Sequence, residues 1–157
     1  MADFYQTGMV ATLHRLKPNG TARLEKDLND LSRRTGIALV LPALYREFES
    51  PAMRKIVDEL AQIHYLRRIV IVLGGATQAQ YEKAQAFLSE FQCPVTILWI
   101  ESKPIQYLFE VLEGKNLSTG KDGKGRSCWM AYGYVLAMGA LCAEELQEDV
   151  VMAIIIL

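Results

Sequence analysis

Residues 37 to 49 read IALVLPALYREFE, and the first six of them, IALVLP, are apolar without a break. A strand with one face in water alternates polar and apolar residues. A strand apolar throughout is covered on both faces, as in the parallel sheets of α/β proteins. Two more runs of this kind follow, RIVIVL at 68–73 and VTILWI at 95–100, and VVMAIIIL occupies 150–157. The fold therefore turns on what lies between them.

Each gap carries a helical signature. In 21–36, TARLEKDLNDLSRRTG, helical spacing predicts Leu24, Leu28 and Leu31 on one face, with Thr21 as N-cap and Gly36 as the stop. Ser50-Pro51 opens a second helix, since proline loses nothing at the first helical position, and Met53, Ile56, Val57 and Leu60 form its buried stripe. Thr77 with Gln80 makes a capping box, after which Tyr81, Ala84, Leu88 and Phe91 lead to the Cys93-Pro94 break. Pro104 starts a helix with Ile105, Leu108, Phe109 and Leu112 inward and Gly114 at its end. A polar, glycine-rich loop covers 114–125, and a last helix runs from Arg126 to about Cys142 with Trp129, Tyr132, Val135, Leu136 and Gly139 at core spacing.

Apolar strands alternating with helices predict a Rossmann-like α/β fold, a mostly parallel sheet with helices on both faces and right-handed crossovers. Ligands of such sheets collect at the carboxyl ends of the strands, near the point where strand order reverses. The organisation expected is an amino-terminal arm, 1–20, closed by the turn Pro18-Asn19-Gly20, and one α/β domain, 21–157.

Composition narrows the function. A length of 157 residues with 51% hydrophobic and 22% charged residues is that of one globular domain. A net charge of −1 offers no general attraction for nucleic acid or anionic lipid. The start, MADFYQTGMV, lacks the basic end and apolar run of a signal peptide, and the terminal apolar run is far short of the roughly 20 residues that span a bilayer. No membrane partner and a cytoplasmic location are the expectation. Cys93, Cys128 and Cys142 have no C-x-x-C spacing, and His14 and His64 stand alone, so no metal site or Cys/His nucleophile pair is expected.

Two stretches carry candidate chemistry. Gly114 to Gly120 has the wrong spacing for a Walker loop and is followed by Lys121-Asp122, while Gly74-Gly75-Ala76-Thr77 is not a G-x-G-x-x-G. Gly123-Lys124-Gly125, however, sits just ahead of a helix, where free backbone N–H groups, the positive helix end and Lys124 could meet a phosphate or carbonyl oxygen. The other reading is a solvated loop kept wet by its lysines. At the end of the first strand, Pro42 is expected to stop the strand and turn the chain across the carboxyl edge. Glu47 and Glu49 could there accept hydrogen bonds from a ribose or base, or be plain surface charges.

Taken together, LVLPALYREFE (39–49) resembles the V-L-P-A-L-N-E-E element of glucosyl-3-phosphoglycerate synthases and related mannosyl enzymes, and GKGRSCWMAYGYVLA (123–137) resembles their G-K-G and following helix. The opening MADFYQTGMVATLHRL is similar to the amino-terminal arm of a bacterial branch. These are nucleotide-sugar-dependent retaining glycosyltransferases of GT-A fold, and the resemblance covers roughly residues 1 to 140, their donor-binding half. It implies that Pro42, Ala43 and Leu44 lie along the base and ribose of a UDP- or GDP-hexose, and that Lys124, between Gly123 and Gly125, reaches the nucleotide. Glu47 matches the second acid of the family's pair, with Arg46 in place of the first. Thr77 is the only obvious polar candidate after the second strand. The implied acceptor is a small phosphorylated molecule such as 3-phosphoglycerate.

The family's fourth strand leads into an Asp-x-Asp motif that holds magnesium or manganese on the donor diphosphate. Here VVMAIIIL stands at that place and Asp149 lies at the wrong end of the strand, so the metal ligands are expected to be absent from this chain. The domain is accordingly expected to be truncated at its carboxyl end, inactive alone, and prone to self-association through an uncovered last strand. The alternative is a non-catalytic α/β nucleotide-binding or interaction domain.

Overall fold

The computed structural model of the protein describes residues 21–142 and 150–154. The arm with its turn and His14, Asp149, residues 155–157 of the expected last strand, the burial of Gly139 and the side chains of Thr21 and Cys142 lie outside the described residues. Four strands, β1 (Gly36–Leu44), β2 (Leu66–Gly74), β3 (Val95–Trp99) and β4 (Val150–Ile154), form one sheet in the order β3-β2-β1-β4. All three pairings are parallel, with Val40 opposite both Val70 and Ile154. The fold is thus the expected Rossmann-like α/β type.

Both sheet faces are covered, which is why β1 and β2 carry no polar alternation. On one face Ile37, Leu39 and Leu41 of β1 and Ile69 and Ile71 of β2 meet α3 (Pro51–Leu60) through Met53, Val57 and Leu60, with Leu28 of α1 (Thr21–Ser32) at the margin. The end of α4 (Gln78–Phe87) joins this face through Leu88, in a 3-10 turn. On the other face Ala38, Val40, Val70 and Val72 meet Phe109 of α5 (Lys103–Gly114) and Met130, Ala131 and Val135 of α6 (Lys124–Cys142). Each fully buried Val, Leu or Ile contributes roughly 1.5–3 kcal/mol of transfer free energy. The path β1 to β2 to β3 uses one face and the return to β4 uses the other, as right-handed crossovers in opposite directions require.

The caps of α3 and α4 behave as the sequence predicts. Ser50 Oγ accepts the Met53 N–H at 3.3 Å, and Thr77 and Gln80 exchange bonds at 2.8 and 3.4 Å. Four local expectations are corrected. β1 does not stop at Pro42 but continues to Leu44, with Pro42 opposite Val72; the described ladder to β4 ends at Val40–Ile154, and a residue without an N–H can sit where a strand has one neighbour. Gly36 is not a helix stop but the buried first residue of β1, and α1 ends at Ser32. Leu24 and Leu31 are exposed on α1, where only Leu28 reaches the core, and Leu108 is exposed on α5. On α6 the core residues are Met130, Ala131 and Val135, whereas Trp129 and Leu136 are 53% and 64% exposed. That helix is apolar nearly all round, so spacing alone could not choose its inner face.

Candidate functional site

The order β3-β2-β1-β4 makes β1 the strand at which the sheet reverses direction, and its carboxyl end is where the chain opens. Pro42, Ala43 and Leu44, the last residues of β1, form one wall of a cleft of about 240 Å³. Gly74 at the end of β2 and Ile100 after β3 form its floor, and Asp122, Gly123, Lys124 and Ser127 close it from the α6 side. A Cβ on Gly74 would come within 3.3 Å of Leu44 Cδ2, so glycine there keeps the floor open.

Of the residues singled out from the sequence, Pro42, Ala43, Leu44, Gly123 and Lys124 therefore come together although the two groups are far apart in the chain. Glu47 lies beside them with a different contact from the one expected. It sits in the short helix α2 (Tyr45–Phe48), and its Oε2 accepts the Leu44 N–H at 2.8 Å. Leu44 has no side-chain oxygen to return the bond, so this is half of a capping box. Gly125 is exposed in the first turn of α6, next to the lining residues. Thr77 is engaged in capping α4 and Glu49 is exposed at the end of α2.

The loop before α6 is exposed along its length except at Thr119. Thr119 is buried and its hydroxyl bonds Glu113 at 3.2 Å. Gly123 has φ 153°, a region that favours glycine, and its carbonyl accepts the Ser127 N–H at 3.1 Å as α6 begins. The first N–H groups of any helix lack an intrahelical acceptor, and Gly123 has no side chain to cap them. With Lys124 alongside, this side of the cleft has positive character.

Asp122, Ser127, Gly74 and Ile100 were not singled out from the sequence. Arg126, which the sequence shows only as one of a basic cluster with Lys115, Lys121 and Lys124, does not itself line the cleft but pairs with a residue that does: its Nη2 meets Asp122 Oδ1 at 2.5 Å, and its guanidinium lies 4.6 Å from the Phe109 ring centroid. The i,i+4 spacing of Asp122 and Arg126 was the available signal, and it straddles the helix start. Cys93 and Cys128 are free and half-buried, and burial pushes the Cys93 thiol up, the opposite of what activates a nucleophile.

Comparison with known proteins gives a family to this geometry. The glucosyl-3-phosphoglycerate synthase of Persephonella marina is 41% identical over 137 residues, 87% of this chain and 34% of that protein. The chain is a partial relative of these synthases. The glucosyl-3-phosphoglycerate synthase of Methanococcoides burtonii is 29% identical over 132 residues, 83% of this chain and 32% of that protein. The chain thus spans about a third of the length of the curated synthases it matches. No protein-family model and no solved structure matches it.

Among the described residues no group of three or more His, Cys, Asp or Glu side chains could hold a metal ion. In the cleft itself Asp122 is taken by Arg126, so the residues present there do not fit a divalent cation. No helix among the described residues is long and apolar enough to cross a membrane.

Proposed function

We propose that this chain is the donor-binding portion of a GT-A glycosyltransferase related to glucosyl-3-phosphoglycerate synthases. In the whole enzyme a hexose would pass from a UDP- or GDP-sugar to a small phosphorylated acceptor such as 3-phosphoglycerate. The observation that carries the reading is the convergence, in one cleft at the reversing strand, of Pro42-Ala43-Leu44 with Gly123-Lys124. In a chain whose curated relatives carry that activity, a strand-end backbone facing a cation suits a nucleotide diphosphate.

In this reading the backbone of 42–44 offers its edge to the base and ribose, and Glu47 keeps that edge in place. Lys124 and the amino end of α6 neutralise phosphate charge. A well-placed charged contact of this kind contributes roughly 1.5–3 kcal/mol, so losing Lys124 should weaken binding by about tenfold or more. With no group of three or more His, Cys, Asp or Glu side chains able to hold a metal among the described residues, this chain alone is expected to show little or no transfer. The same observation favours the second reading, a nucleotide-binding domain without catalysis. Self-association through uncovered apolar surface is part of the proposal.

Calorimetric titration with UDP and then GDP, with and without manganese, and on Lys124→Ala, tests both readings. Binding of one nucleotide that the substitution weakens supports the donor site. No binding of either nucleotide overturns it. A metal-dependent gain on extending the chain to the length of its relatives selects the catalytic reading, and none selects the binding domain.

A further inference from the structure

Asp122 places a carboxylate in the same cleft as Lys124, where it repels an anionic ligand. Its side chain is 78% exposed and pairs with Arg126. Arg126 is in the opposite situation, with a side chain only 15% exposed and a guanidinium stacked over Phe109. Its Nε is buried without a hydrogen-bond partner among the described residues. A guanidinium packed over a ring with an unpaired, buried N–H is unusual, because buried donors are nearly always satisfied. Its planar fork matches phosphate oxygens as well as carboxylate oxygens. The cation is held by the fold, whereas the carboxylate is exposed and followed directly by glycine at φ 153°.

We propose that Asp122 is an internal stand-in for a ligand phosphate, and that an incoming phosphate or diphosphate displaces it from Arg126. Arg126 then joins Lys124 as a second cation of the site. The exchange makes and breaks no covalent bond. The released carboxylate stays close to the positive end of α6, which limits the cost of losing its partner. The pair keeps the guanidinium compensated when the cleft is empty and discriminates against ligands too weakly charged to displace a carboxylate. The ligand's being a nucleotide rests on the donor-site reading; its being a phosphate anion does not.

The experiment is a calorimetric titration of the full chain with UDP and, separately, with pyrophosphate. It compares the natural sequence with Asp122→Asn, Arg126→Gln and the double variant. Removing one like charge at close range should tighten both ligands by about fivefold. Arg126→Gln should weaken both, and Asp122→Asn should give no gain in that background. Because Arg126 is buried, thermal midpoints accompany each variant; the gain on changing exposed Asp122 is the readout a merely structural role would not produce. Unchanged or weaker binding by Asp122→Asn overturns the exchange, and leaves the donor site standing if UDP still binds and Lys124→Ala weakens it. Pyrophosphate tightened by Asp122→Asn with UDP binding no better than pyrophosphate supports the exchange and overturns the nucleotide. Binding of neither ligand to any of these proteins overturns both.

Discussion

Glu47 holds the wall of the cleft in place through its bond to the Leu44 N–H. Glu47→Ala should loosen the 42–44 edge, lowering stability by about 1 kcal/mol, as losses of helix caps do, and weakening UDP binding. Glu47→Gln keeps an acceptor oxygen and should recover most of both, which urea denaturation and calorimetry will read. If alanine and glutamine behave alike, the carboxylate has no such role. Gly74 makes a complementary case: Gly74→Val puts branched carbons against Leu44 and Ile100 at the cleft floor. It should reduce UDP binding well before it reduces the thermal midpoint, and unchanged binding would show that the floor is not occupied. The G-K-G was legible as the approach to a helix, although α6 begins at Lys124 and not at Arg126, so that Lys124 and Gly125 belong to its first turn. The burial of Arg126 was not legible, because its stacking partner, Phe109, belongs to another helix.

The helix α6 shows why element type is easier to read than element orientation. Its existence follows from a long apolar stretch after a glycine-rich loop, and its inner face from contacts with Val40, Val70 and Val72 that no local pattern contains. Two adjacent residues test the observed face. Val135→Ala removes buried methyl groups and should cost roughly 1–3 kcal/mol, whereas Leu136→Ala, at an exposed position, should stay within about 0.5 kcal/mol. Equal losses in urea denaturation would mean that the helix is rotated. The caps of α3 and α4 were fully legible, since Ser50-Pro51 and Thr77 with Gln80 act within a single turn. The strand through Pro42 was misread because the rule against proline concerns a missing donor, and only the pairing shows which donors are needed.

At the scale of the whole molecule, β1 lies between β2 and β4 and is covered by helices on both faces, so the domain should fail as a unit when it is damaged. Leu41→Ala, at a fully buried position, should cost about 2–5 kcal/mol, much of the roughly 5–15 kcal/mol typical of a domain, with loss of secondary structure in one circular-dichroism transition. A second expectation concerns surface: Tyr107, Trp129 and Leu136 are exposed on the α5 and α6 side of the sheet. Sedimentation velocity should show association rising with concentration and falling in Leu136→Lys; a strictly monomeric profile at high concentration refutes it. The sequence by itself determined the α/β class, the order of elements, the caps of α3 and α4 and the two segments of candidate chemistry, because propensity, periodicity and capping act between near neighbours. Only the tertiary structure decided that 42–44 share a cleft with 122–124 and Ser127, that Glu47 serves the backbone, which side of α6 is buried, and that Arg126 packs over Phe109 while pairing with Asp122. Each depends on the strand order β3-β2-β1-β4, which brings together residues distant in the chain and which no local pattern encodes.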